Sequence, residues 1–108
     1  MAYDEALAER IRELLAAERG VTEQKMFGGL AFLIGGNMAV AASGQGGLLV
    51  HVDKADGEEL IRTTNARPME MRGREMAGWL RVDPADDGEL AEWVERGTGY
   101  ARSLPAKT

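Results

Sequence analysis

The chain has no cysteine, one histidine, three prolines and only six aromatic side chains besides that histidine, and each shortage closes off some chemistry. Without cysteine there are no disulfides, no thiolate nucleophile and no cysteine-ligated zinc or iron–sulfur centre, so oxygen ligands are the main remaining route to a metal. Long apolar runs are also missing. None approaches the roughly 20 residues that cross a bilayer, and the first residues are acidic where a secretory signal is positive, so no membrane association and a cytoplasmic location are expected. Positive charge is in deficit as well. Against 18 Asp and Glu stand 13 Lys and Arg, a formal charge of -5 that disfavours phosphate-backbone attraction and direct nucleic-acid binding.

What is present is enough for one domain. A chain of 108 residues buries roughly two thirds of its unfolded surface around a single core. Residues 3–19 carry a helical period, with Leu7, Ile11, Leu14 and Leu15 on one side and mixed charges elsewhere, which predicts an amphipathic helix packed on a sheet. Strands are expected at 21–27, 30–34, 38–42 and 48–52, separated by the glycine-rich turns Gly28-Gly29, Gly35-Gly36-Asn37 and 44–47. In the third of these strands Met38, Val40 and Ala42 alternate with Ala39, Ala41 and Ser43, and the small alanines leave the buried face ambiguous.

Beyond residue 53 a short helix is expected before Asn65, then a strand at about 75–82. Asp83 is the expected cap of a closing helix, with Pro84 in its first turn and Leu90, Trp93, Val94, Gly97, Ala101 and Leu104 as its apolar stripe. Gly97 and Gly99 each cost that helix up to roughly 1 kcal/mol relative to alanine. The expected fold is α+β: a two-layer domain with a mainly antiparallel sheet of about five strands, helices on one face, and a short tail at 105–108.

No motif supplies a reaction. The glycine pairs lack the Lys-Ser/Thr ending of a phosphate loop and the βαβ setting of a dinucleotide site. His51 lies two residues from Asp53 with no nearby nucleophile, and Asp53, Asp56, Glu58 and Glu59 lack calcium-loop spacing. Neither a catalytic residue, nor a cofactor, nor a metal is therefore assigned. Two interaction candidates stand out. One is the strand end Met26, Phe27, Gly28 and Gly29, read first as fold-defining and second as an edge that pairs with another chain. The other is the basic stretch containing Arg67, Arg72, Arg74 and Arg81 around Trp79, where an anionic partner would sit, with Arg72, Arg74 and Trp79 as its contacts.

The leading amphipathic helix, Lys25-Met26-Phe27-Gly28-Gly29, the hairpin at 31–40, the strand Leu48-Leu49-Val50-His51-Val52-Asp53 and the closing helix around Trp93 together resemble the amino-terminal domain of the TfoX/Sxy family. That family is named for regulators of bacterial competence, and the resemblance spans residues 1–104. It implies a mainly antiparallel α/β domain, often found alone and of unassigned biochemical activity. The function expected is a non-enzymatic regulatory or protein-interaction domain with an unidentified protein partner, homodimerisation being one form of that partnership. A nucleic-acid-associated transcription accessory and a small-molecule binding protein are the alternatives.

Overall fold

The computed structural model describes residues 3–26 and 28–106, with the side chain of Met71 left aside. Helix α1 (Glu5–Leu14) starts where Asp4 accepts a hydrogen bond from Leu7 N at 3.1 Å. It ends five residues before the expected limit, because the chain must turn back to enter the sheet after Gly20. Strands β1 (Val21–Met26), β2 (Gly29–Ile34), β3 (Asn37–Ala42) and β4 (Leu48–His51) follow as a meander. Helix α2 (Lys54–Thr63) is capped by Asp53, whose carboxylate accepts from Ala55 N at 3.0 Å. Strands β5 (Arg67–Met71) and β6 (Arg74–Val82) form a hairpin, and α3 (Asp87–Ser103) closes the domain.

The result is a three-helix, six-stranded α+β domain, its sheet antiparallel throughout in the order β1-β2-β3-β4-β6-β5. The strand beyond the expected five is β5. Pro68 argues against a strand in a sequence, but β5 is the last strand of the sheet, where a missing N–H on the open side leaves no broken ladder bond. The closing helix also starts later than expected. Asp86 is its cap, accepting from Glu89 N at 2.8 Å, while Asp83 instead pairs with Arg67 at 3.2 Å and Pro84 lies in the connecting segment.

All three helices serve one sheet face. Ile11 of α1, Leu90, Trp93 and Val94 of α3, and Leu60 and Ile61 of α2 meet Leu30, Phe32, Val40, Ala42, Leu48, Val50, Leu80 and Val82 there. α3 lies directly on β3: a Cβ at Gly97 would overlap the Ala39 carbonyl oxygen and come within 2.9 Å of Val40 Cγ1.

The opposite face is also buried, and no described helix contributes to it. Ala31, Leu33, Met38, Ala41, Leu49 and Met69 form a second cluster, joined by Met26 and Trp79. The cover comes from the sheet itself. Register shifts between Pro68 and Met69, where Pro68 pairs with Leu80 but Met69 with Met76, bend the β5–β6 hairpin. Its tip reaches the β3–β4 turn, so Glu70 and Arg72 line one cleft with Ser43 and Gln45. Met69 thereby lies over the second face rather than beyond the end of the sheet.

Candidate functional site

Strand β1 has a neighbour on one side only. Gly35 N donates to the Gly20 carbonyl at 3.2 Å, and Val21 through Met26 pair with Ile34 back to Gly29 without interruption. In an antiparallel ladder the bonded pairs alternate, so Thr22, Gln24 and Met26 direct their N–H and C=O groups to β2. Val21, Glu23 and Lys25 then direct theirs outward, and no described residue bonds to them there. The side chains of 22–25 are exposed on both faces. This is an open edge; at the far side of the sheet Pro68 removes a donor from the β5 edge.

Charge along the edge is organised by α1. Arg12 donates to both oxygens of Glu23, from Nε at 2.7 Å and from NH2 at 2.9 Å, and reaches Glu9 from NH1 at 2.9 Å. The hydrogen bonds from Arg12 hold the Glu23 carboxyl below its ordinary range, against an opposing contribution from partial burial. They likewise raise the guanidinium above its ordinary value, Glu23 contributing more than Glu9. Lys25 forms no ion pair with a described residue, and Glu23 and Lys25 thus stand two apart on the helix side of the edge with opposite charge.

The sequence candidates fall into three environments. Met26 is half-buried against the second cluster, and Phe27 lies outside the described residues. Gly28 is exposed at φ 74°, whereas Gly29 is buried, and a Cβ there would overlap the Ala42 carbonyl oxygen and sit 2.9 Å from Gly44 N. Gly29 is thus a packing residue: it lets the first hairpin seat against the end of β3.

On the second hairpin the four arginines separate. Arg67 is held by Asp83, and Arg81 donates from NH1 to Ser43 Oγ at 3.2 Å and to the Gly46 carbonyl at 3.0 Å. Arg72 and Arg74 flank Gly73 at the hairpin tip, both exposed and neither ion-paired to a described residue, with Arg72 at φ 54°. Arg72 and Arg81 meet across a cleft of about 260 Å³ whose wall includes Glu70, but Arg74 does not line it. Trp79 is elsewhere again, stacked on His51 at 4.1 Å between centroids and 12° between planes. His51 is in edge contact with Tyr100 and donates from Nδ1 to the Met38 carbonyl at 3.1 Å. Asp53 is engaged in capping α2. Among the described residues no group of three or more His, Asp or Glu converges on a metal-sized site.

The outward backbone of Val21, Glu23 and Lys25 is the feature that sequence reasoning did not single out. The expected turn at Gly28-Gly29 lies one residue later than the one that pairs Met26 with Gly29, and alternation from it would have sent the other set of β1 groups outward.

A family model of the TfoX N-terminal domain matches residues 13–101, from the end of α1 through all six strands to near the end of α3. No curated protein and no solved structure matches the chain. The meander, the crossover helix, the second hairpin and nearly all of the closing helix fall within the matched span, and the chain belongs to the TfoX N-terminal domain family.

Proposed function

We propose that this chain is a non-enzymatic regulatory domain of the competence-regulator type, and that it works in the cytoplasm by binding protein through the β1 edge. The observation that carries the proposal is the outward row of N–H and C=O groups at Val21, Glu23 and Lys25, left open by the ends of the sheet order. An extended segment adding there gains main-chain hydrogen bonds, while Glu23 and Lys25 set which charges it must carry. Membership of the family supports a regulatory role of this kind.

Lys25→Pro tests it. The lost N–H is an outward one, so the β1–β2 ladder keeps its bonds while an incoming strand loses a donor at the middle of the edge. Affinity capture from the source cytoplasm with nuclease present is expected to recover a discrete protein complex with the wild-type chain and to lose it with the variant, at unchanged circular dichroism. A complex that disappears with nuclease, or that binds the proline variant as well as wild type, overturns the proposal.

A further inference from the structure

The β1 edge carries a charge pattern that fits its own copy. Two antiparallel β1 strands can meet only in registers that place outward-facing residues opposite outward-facing residues. Two such registers are central. One places Glu23 against Glu23, which is repulsive. The other is centred on Gln24: Glu23 of one chain faces Lys25 of the other, Lys25 faces Glu23, and the two Gln24 side chains face each other at the two-fold axis. Opposite charges directly across a strand pair stabilise it and like charges oppose it, so the pattern selects a single register.

We infer that a second copy of this chain docks on the β1 edge, in the register that pairs Glu23 with Lys25 twice about a two-fold axis. The inference rests on β1 being the working surface, and it names the partner. Glu23 remains available although Arg12 holds both of its oxygens, because a carboxylate offers about four acceptor positions and Arg12 approaches from within its own chain. Lys25 has no competing acid among the described residues. On the other face of β1, Thr22 meets Met26 across the pair, extending the apolar cluster that Met26 borders. The interface is isologous, so it closes at two chains and leaves no further β1 edge open. An edge that self-pairs in this way is also removed from unspecific strand addition.

Light scattering and sedimentation over a concentration series give the test: mixing opposite charge reversals returns the pair to wild-type affinity in the Gln24-centred register, whereas in the Glu23-centred one the mixture would exceed wild type. Lys25→Glu places an acid opposite the partner copy's acid at both positions of the pair, and Glu23→Lys places a base opposite a base at both. Each variant alone is expected to dimerise at least about tenfold more weakly than wild type at low salt. Mixed one to one, the two variants restore an acid opposite a base at both positions, and a heterodimer of near wild-type affinity is expected. Circular dichroism of each variant confirms the fold, and Lys25→Pro supplies a backbone variant that weakens the dimer while leaving the β1–β2 ladder intact. A wild-type chain that stays monomeric at every concentration overturns the inference, as does a mixture no tighter than its components. Failure here and failure of the functional proposal are separable: a monomer whose capture of another protein is lost in Lys25→Pro overturns the second copy and retains the β1 edge.

Discussion

Gly97 and Gly99 lie in the same helix and differ by two positions, yet replacing each with alanine is expected to move stability in opposite directions. In sequence terms the two are equivalent, each weakening α3 by about 1 kcal/mol relative to alanine. Their surroundings are not equivalent. A methyl at Gly99 meets nothing nearer than Arg102 NH2 at 4.0 Å, so Gly99→Ala collects the helix-propensity gain without a packing cost. At Gly97 the methyl would overlap the Ala39 carbonyl oxygen, with Val40 Cγ1 at 2.9 Å and the Ala39 carbonyl carbon at 3.1 Å.

Backbone cannot rotate away as a side chain can, so α3 must lift from β3 and loosen Trp93, Val94 and Ala101, all buried. Overpacking of this kind costs roughly 1–3 kcal/mol, and against a backbone wall the upper half of that range applies. Setting it against the propensity gain leaves Gly97→Ala about 1–2 kcal/mol less stable than wild type and Gly99→Ala up to about 1 kcal/mol more stable. In a domain of this size those changes correspond to midpoints roughly 5–10 °C lower and up to about 5 °C higher. Thermal and urea unfolding followed by circular dichroism read both. Because intrinsic propensity is common to the two sites, equal shifts in the same direction, or a Gly97→Ala chain as stable as wild type, would refute the close approach of α3 to β3.

Two further outcomes follow from the hydrogen-bonding pattern. Asn37 is buried and donates from Nδ2 to the Pro105 carbonyl at 2.9 Å, so Asn37→Ala is expected to cost about 1 kcal/mol and to speed amide exchange around Leu104; unchanged exchange there would show that the segment after α3 is held by other contacts. For Glu23 the hydrogen bonds from Arg12 place the folded carboxyl below its ordinary value of 4.5, so the pair's contribution is present above that value and is lost as pH falls through the lower folded value. The urea midpoint of wild type is therefore expected to exceed that of Glu23→Gln at neutral pH and to converge on it in acid, whereas a gap that widens on acidification contradicts the assignment.

Most of the meander was legible because its turns are written in glycine and its strands in short apolar runs. Val21 through His51 fall into four strands broken near Gly28, Gly35 and Gly46, as the sequence predicts. Residue-by-residue alternation was less informative in β3. Strict period two would place Met38 on the same face as Val40 and Ala42. Instead Leu33 pairs with Met38 while Phe32 pairs with Val40, leaving Ala39 as an extra residue in the ladder. Met38 is thereby turned to the second cluster, and Val40 and Ala42 stay under the helices. With alanine at 39, 41 and 42, either side of β3 could be buried, and in the fold both are. In the second hairpin β6 was legible, expected at about 75–82 and found at Arg74–Val82, while β5 was missed for a different reason. Its β5 strand begins Arg67-Pro68, and its cover of the second face depends on a bend, a long-range consequence that no local window of residues contains.

The sequence left the Met26 to Gly29 signature between two roles, one in building the fold and one in recognition, and under the proposed edge pairing these become a single role. Gly29 has no room for a side chain, since the end of β3 occupies that place. That contact fixes where the first hairpin turns, and the position of the turn fixes the ladder. Moving the turn by one residue would exchange the two sets of β1 backbone groups, directing Thr22, Gln24 and Met26 outward and drawing Val21, Glu23 and Lys25 inward. It would also reverse the side chains, taking Glu23 away from Arg12 and Met26 away from the apolar cluster it borders. The choice of edge groups is therefore made at Gly29, on a residue buried from any partner. A substitution there is expected to change binding through the register of β1, and so to alter folding and recognition together, while changes at Lys25 alter recognition alone.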